Sequence, residues 1–319
     1  MQNNENNNGA MNQKKEENSN SSKEKSAKGV NLNTPGMAKA VSRRILEDID
    51  AYCVEKYNDG YRNHLGASLI GRQCKRYLWY IFRWCFQEQF TGRQLRLFNR
   101  GHREEARFIE WLRGAGFEVW EEDPTTNNQF RISAVMGHFG GSLDGIAKLP
   151  ERYGIKEPVL CEFKTNGTGA GFNKLEKDGM TLAKPQHFCQ TSTYGCMPEY
   201  NFEYCLYLNI NKNDDSLHVE LVKLDHNLGR NMLVKAEQII MSQVAPSRLS
   251  DNPTYQECSW CAAKEICHKG ALPEKNCRSC KAARPFENAE WYCEVYNGII
   301  PKDFIKLGCD NYFPITNKV

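Results

Sequence analysis

No stretch of this 319-residue chain approaches the roughly 20 consecutive apolar residues that crossing a bilayer requires. No membrane partner is therefore expected. The opening residues lack the charged-then-apolar order of a secretory signal, which reads as an intracellular, cytoplasmic protein. A phosphate-binding loop of the form G-x-x-x-x-G-K-[ST] is missing, which argues against a helicase. No internal repeat is evident. Net charge is scarce too: at +3 it does not by itself name a nucleic-acid partner, although a balanced chain can carry a local basic groove. Residues 1–34 hold few large apolar side chains among their Asn, Lys, Glu, Ser and Gln, too few to offset the entropy of ordering, and are expected to be a disordered tail.

Cysteine, by contrast, is plentiful. Fourteen cysteines in a chain read as intracellular argue for thiols and metal ligands rather than disulfides. The periodicity predicts a helix after Pro35, a second starting at Ser68 as N-cap and running through Cys74 and Trp79, and a third over residues 101–113. From about Arg131 the pattern changes. SLDGIAKL, PVLCEFKT, EYCLYLNI and LHVELVKL are short, β-rich and bounded by turn residues, and read as four strands. A glycine-rich loop at residues 166–171, a helix over about 185–196 and another over about 227–243 complete the pattern. This order predicts an α/β fold, a mixed central sheet flanked by helices with a cysteine-rich unit at its C-terminal end.

Hard-metal chemistry is suggested by three charged residues. Glu162 and Lys164 lie two apart in VLCEFKT, and strand alternation sends both to one face. Asp144 belongs to the neighbouring strand-like segment, after Gly140 and Gly141, which allow a bend or a close approach by another backbone. Two carboxylates and the Phe163 carbonyl can hold Mg2+ or Mn2+, and Lys164 can steady a developing anion or place a water. Gln190 and Tyr194 sit four apart on one face of the next helix, where they can grip a nucleotide strand or form an ordinary polar surface.

Soft-metal chemistry is suggested by CSWCAAKEIC, which holds Cys258, Cys261 and Cys267. Three thiolates are usually too few for one centre, and Cys74 is the natural fourth, with iron–sulphur and zinc both open. Further on come Cys277 and Cys280, then Cys293 and Cys309, a knuckle with two later singletons that fits a small zinc-bound unit. Free thiols or ligand exchange with the first set are the alternatives. Lys275, Arg278, Lys281 and Arg284 around the knuckle read as phosphate contacts or as solvated surface, and Cys53, Cys85, Cys161, Cys189, Cys196 and Cys205 as core fillers.

Asp144, then Glu162-Phe163-Lys164, then Gln190-x-x-x-Tyr194 resembles the PD-(D/E)XK nuclease superfamily, specifically its RecB-like exonuclease branch. In that branch a glycine followed four residues later by histidine or an acid opens the site, and Gly101 with Glu105 matches this spacing. The resemblance implies a restriction-endonuclease-like fold, metal held by Glu105, Asp144 and Glu162, Lys164 as catalytic lysine, and Gln190 and Tyr194 against the substrate. His102 is a competing ligand ranked below Glu105, because it falls three residues early. One cysteine ahead of these motifs and three behind is similar to the iron–sulphur members, including CRISPR-associated ones, and implies a [4Fe-4S] cluster on Cys74, Cys258, Cys261 and Cys267. The implied organisation is a tail at 1–34, a nuclease domain at 35–270 and a small zinc unit at 271–319. The implied function is a metal-dependent DNA exonuclease of recombination, repair or phage DNA processing, in a bacterial or phage-infected cell. DNA is its expected partner, with a single-strand-binding, annealing or recombination protein and self-association as further options. A non-catalytic DNA-binding adaptor and a sequence-specific endonuclease of the same fold are the competing readings.

Overall fold

The computed structural model describes residues 31–169 and 171–315. The expected N-terminal tail lies, as far as Val30, outside the described residues. Two compact units are present, Met1–Asp48 and Ile49–Val319. In the first, the described residues enter helix α1 (Met37–Tyr57), whose surface carries the i,i+4 ion pairs Arg43–Glu47 and Arg44–Asp48.

The second unit carries everything else. It opens with strand β1 (Leu65–Gly66) and a 3-10 turn at Ala67–Leu69, then helices α2 (Lys75–Phe82) and α3 (Gly92–Gly114). Ser68 is thus not the N-cap that the sequence pattern suggests. The cap is Cys74, whose Sγ accepts from the Tyr77 N–H at 3.4 Å. Helix α3 starts nine residues before the expected Gly101, because Thr91 and Gln94 form a reciprocal capping box. Strands β2 (Glu118–Trp120), β3 (Glu122–Asp123), β4 (Asn128–Gln129), β5 (Arg131–Ala134), β6 (Phe139–Ser142), β7 (Gly145–Lys148) and β8 (Val159–Asn166) follow. Helices α4 (Phe172–Ala183) and α5 (Pro185–Gly195) then cross over to β9 (Tyr204–Asn211), which turns into β10 (Leu217–Lys223) and helix α6 (His226–Met241). Short helices α7 (Gln256–Ser259) and α8 (Lys264–Lys269) lead to a small sheet of β11 (Ala283–Pro285), β12 (Trp291–Cys293) and β13 (Gly298–Ile299), and α9 (Lys302–Ile305) comes last.

The central sheet runs β10-β9-β8-β7-β2, with β8 and β9 parallel and the other neighbours antiparallel. The fold is therefore α/β with a mixed sheet flanked by helices, as the strand and helix pattern predicts. Alternation along β8 divides the core. Val159, Cys161 and Phe163 pack with Phe108, Ile109 and Leu112 of α3, whereas Leu160 joins Tyr77, Trp79 and Ile239 of α2 and α6 in a second cluster. Each of these large side chains, when fully buried, contributes about 1.5–3 kcal/mol. Helices α5 and α6 cross closely at Gly229, where a Cβ would lie 2.1 Å from the Ser192 carbonyl oxygen. The C-terminal segment shares the second cluster through Cys280, Ala283, Trp291, Ile300 and Ile315. Among the described residues, no helix is long and apolar enough to cross a membrane.

Candidate active site and thiol clusters

Pairing brings the expected charges together. Gly145 of β7 faces Cys161 of β8, so Asp144, the residue before β7, comes level with Glu162 and Phe163. Asp144 is not within a strand, as its sequence context suggests. It occupies the break where the chain leaves the β1-β6-β5 sheet at Ser142 and enters the central sheet at Gly145. That break frees its carboxylate to turn inward, where Oδ2 accepts the Phe163 N–H at 2.7 Å. Lys164 Nζ donates to the Phe163 carbonyl at 3.0 Å, lies 3.5 Å from Asp144 Oδ2 and meets Glu162 Oε1.

The electrostatics follow from burial. Glu162 is fully buried, and loss of water raises its pKa to about 7 despite the Lys164 ammonium, with Asp144 adding to the rise. Burial raises Asp144 as well, opposed by Lys164 and the Phe163 N–H. For Lys164 burial acts against the charge, yet Asp144 and Glu162 outweigh it and hold the amine above the ordinary lysine value. The Glu105 charge bears on both Asp144 and Glu162, which leaves three carboxylates against one ammonium. Hard oxygen donors with surplus negative charge suit a divalent ion such as Mg2+ or Mn2+. His102 is exposed, and its Nδ1 stands 3.2 Å from Glu105 Oε1, a contact that raises its pKa.

Gln190 and Tyr194 depart from the surface reading. They are 6% and 1% exposed, behind the carboxylates rather than on an open face. Gln190 Nε2 donates to Glu162 Oε2 at 3.3 Å and to Tyr194 Oη at 3.2 Å. Tyr194 sits against Gly141, where a Cβ would meet its Oη at 2.5 Å. The backbone approach expected at the glycines is found at Gly140, where a Cβ would lie 2.9 Å from the Ile132 carbonyl oxygen, whereas at Gly141 the close neighbours are side chains.

A buried polar group behind Lys164 escaped sequence reasoning. Tyr207 and Asn209 of β9 pair with Glu162 and Lys164 in register. Tyr207 Oη receives Asn209 Nδ2 at 3.2 Å and lies 2.9 Å from His187 Nδ1. Burial, with Lys164 and Lys184 nearby, pushes His187 down to about 3 and keeps it neutral. The alternating Tyr207, Asn209 and Asn211 of YCLYLNIN were the available signal, since they share the face of Glu162 once β8 and β9 are set in parallel.

Both thiol sets are gathered by the fold. Cys74, Cys258, Cys261 and Cys267 line one cavity of about 20 Å³. Cys277, Cys280, Cys293 and Cys309 line another of about 20 Å³. Among the described residues no three His, Cys, Asp or Glu side chains stand in a finished ligand cluster, so shared lining is what places each set of thiols together. Burial and the neighbours Cys309, Cys280 and Cys293 push the Cys277 thiol up to about 11. Of the other cysteines, Cys53, Cys85, Cys161 and Cys205 are buried, and Cys189 and Cys196 are partly so. Arg278, read from sequence as a surface or phosphate-contacting residue, is 1% exposed, because it inserts beneath the knuckle into an aromatic floor.

No family model and no curated protein matches the chain. Among solved structures, the protein SSO0001 is similar at 17% identity and a TM-score of 0.43, over 70% of this chain and 96% of that one. An alkaline exonuclease from Laribacter hongkongensis is similar at 16% identity and a TM-score of 0.39, over 60% of this chain and 90% of its own. The same exonuclease in complex with dAMP gives 14% identity and a TM-score of 0.38.

Proposed function

We propose that this chain is a divalent-metal-dependent deoxyribonuclease, a restriction-endonuclease-like fold of the RecB-like exonuclease kind that degrades DNA from its ends. The observation that supports it is the meeting of Asp144, Glu162 and Lys164 around the Phe163 peptide, two elements brought together by the β7–β8 register. Asp144, Glu162, the Phe163 carbonyl and Glu105 are the groups that would hold Mg2+ or Mn2+. When bound, such an ion lowers the pKa of a water and offsets charge on the phosphodiester.

The chain's own groups have separable tasks. Lys164 stays an ammonium between the carboxylates, so it acts as a donor toward the anion that develops on the phosphate rather than as a base. Asp144 is fixed by the Phe163 N–H. Gln190 fixes Glu162, and Tyr194 stands behind Gln190, so this pair positions a ligand instead of gripping the strand. Hydrolysis forms a bond from the water oxygen to phosphorus and breaks the bond to the sugar oxygen, which leaves with a proton. Cys74, Cys258, Cys261 and Cys267 would hold a [4Fe-4S] cluster, which would tie the start of α2 to the segment around α7 and α8.

The test is purified protein on labelled linear and circular DNA with Mg2+ or Mn2+, beside Asp144→Ala and Glu162→Ala. Metal-dependent loss of linear DNA, spared circles and inactive variants are expected. Equal digestion by wild type and both variants would remove the assignment, and cutting of circles at fixed positions would replace an exonuclease by an endonuclease.

A further inference from the structure

Two arginines near the C-terminal thiols pose an electrostatic problem. Arg83 and Arg278 are 0% and 1% exposed. The Arg278 guanidinium lies over Phe82, Trp84 and Trp291, 4.4 to 4.7 Å from each ring centre. Its Nη1 donates to the Asn63 carbonyl at 3.1 Å, while Nε and Nη2 are buried without a hydrogen-bond partner. Arg83 lies over Trp291 at 5.1 Å, donates to the Cys280 carbonyl at 2.8 Å and leaves its Nε unpartnered. Neither forms an ion pair with an acidic side chain among the described residues, and both are shielded from water. Two adjacent cations out of water are costly unless an anion offsets them.

The thiols are the available anion. Arg278 lies between Cys277 and Cys280 in the chain, and Arg83 is bonded to the Cys280 carbonyl, so both buried guanidiniums are carried by or tied to the knuckle whose thiols share one cavity with Cys293 and Cys309. The knuckle is already shaped: Cys280 N–H bonds to the Cys277 carbonyl at 3.0 Å, and the Phe313 N–H donates to Cys280 Sγ at 3.5 Å. Four thiols that bind one Zn2+ release their four protons and leave a doubly negative centre, which matches the two buried guanidiniums.

We infer that Cys277, Cys280, Cys293 and Cys309 form a tetrathiolate zinc site whose net negative charge is offset by Arg83 and Arg278. The site clamps the C-terminal sheet onto the end of α2 and onto the β5–β6 hairpin that leads to Asp144. Two further bonds follow that path: His138 Nε2 to the Phe286 carbonyl at 2.8 Å, and the Ala289 N–H to the Met136 carbonyl at 2.7 Å.

Elemental analysis of the purified full chain tests it, with Cys293→Ser, Cys309→Ser and Cys258→Ser in parallel. The wild type is expected to carry a zinc that persists in Cys258→Ser and is lost from Cys293→Ser and Cys309→Ser. X-ray absorption at the zinc edge of Cys258→Ser is expected to show a shell of four sulphurs at about 2.3 Å. Where a serine variant of this cage is insoluble, the wild type is measured in the same way and must show the four-sulphur shell. Soluble wild type without zinc, iron in place of zinc, equal zinc in wild type and Cys293→Ser, or a shell of nitrogen and oxygen would each overturn the assignment.

Discussion

Replacing Gly141 by alanine isolates the link between a backbone position and a metal-ligand candidate. A Cβ there would lie 2.5 Å from Tyr194 Oη, and 3.0 Å from both Tyr194 Cε1 and Ala67 Cβ. The ring has little room to retreat, since Tyr194 is 1% exposed and its hydroxyl accepts from Gln190 at 3.2 Å. Overpacking of this sort costs about 1–3 kcal/mol. Tyr194→Phe alone removes one buried hydrogen bond, worth about 1 kcal/mol. In the double variant the closest clash vanishes with the oxygen, so the combined loss should fall short of the sum by about 1 kcal/mol. Thermal midpoints of the four proteins measure this directly. Because the displaced ring pushes on the residue that holds Glu162, kcat on linear DNA should drop in Gly141→Ala with KM unchanged. Additive stability losses, or a Gly141→Ala protein as stable and active as wild type, would refute the reasoning.

Lys164→Met removes the ammonium that faces two buried carboxylates and should lower DNA hydrolysis about 100- to 1,000-fold, read as initial rate at saturating Mg2+. Phe108→Ala opens the cluster between α3 and the sheet, where Phe108 stacks on Phe163 with ring centres 5.1 Å apart, and should cost about 3–5 kcal/mol in urea unfolding. Burial lowers His138 to about 4 in the fold from an ordinary 6.5, so its neutral form is the folded one. Its stabilising share is present above pH 6.5 and is lost as pH falls through about 4, at most about 3 kcal/mol. His138→Phe, which keeps an aromatic between Phe82 and Trp291, should flatten the acid limb of stability against pH, and an unchanged limb would count against it.

The central strands were legible because VLCEFKT and EYCLYLNI are β-rich and bounded by turn residues, and two-residue alternation correctly put Glu162 and Lys164 on one face. Asp144 was legible as a residue type near a bend but not as a strand break, since the break arises from a switch between two sheets that no local pattern encodes. Helix α4 was missed: Gly179, at φ 70°, interrupts its periodicity. The start of α3 was missed although the Thr91–Gln94 capping box was there to be read. Burial of Gln190, Tyr194 and Arg278 was the largest departure. Each is polar and follows a surface-like pattern, and only the packing of α5 against the carboxylates, and of the knuckle against Trp84 and Trp291, takes them out of water.

Metal-dependent hydrolysis at this site requires one ion held between the break before β7 and the middle of β8. Crystals grown with Mn2+ and measured for anomalous scattering test that claim without any assay of DNA. A peak bonded to Asp144, Glu162 and the Phe163 carbonyl is the predicted result. Well-ordered carboxylates with the Lys164 ammonium still between them, and manganese bound elsewhere or not at all, would contradict it.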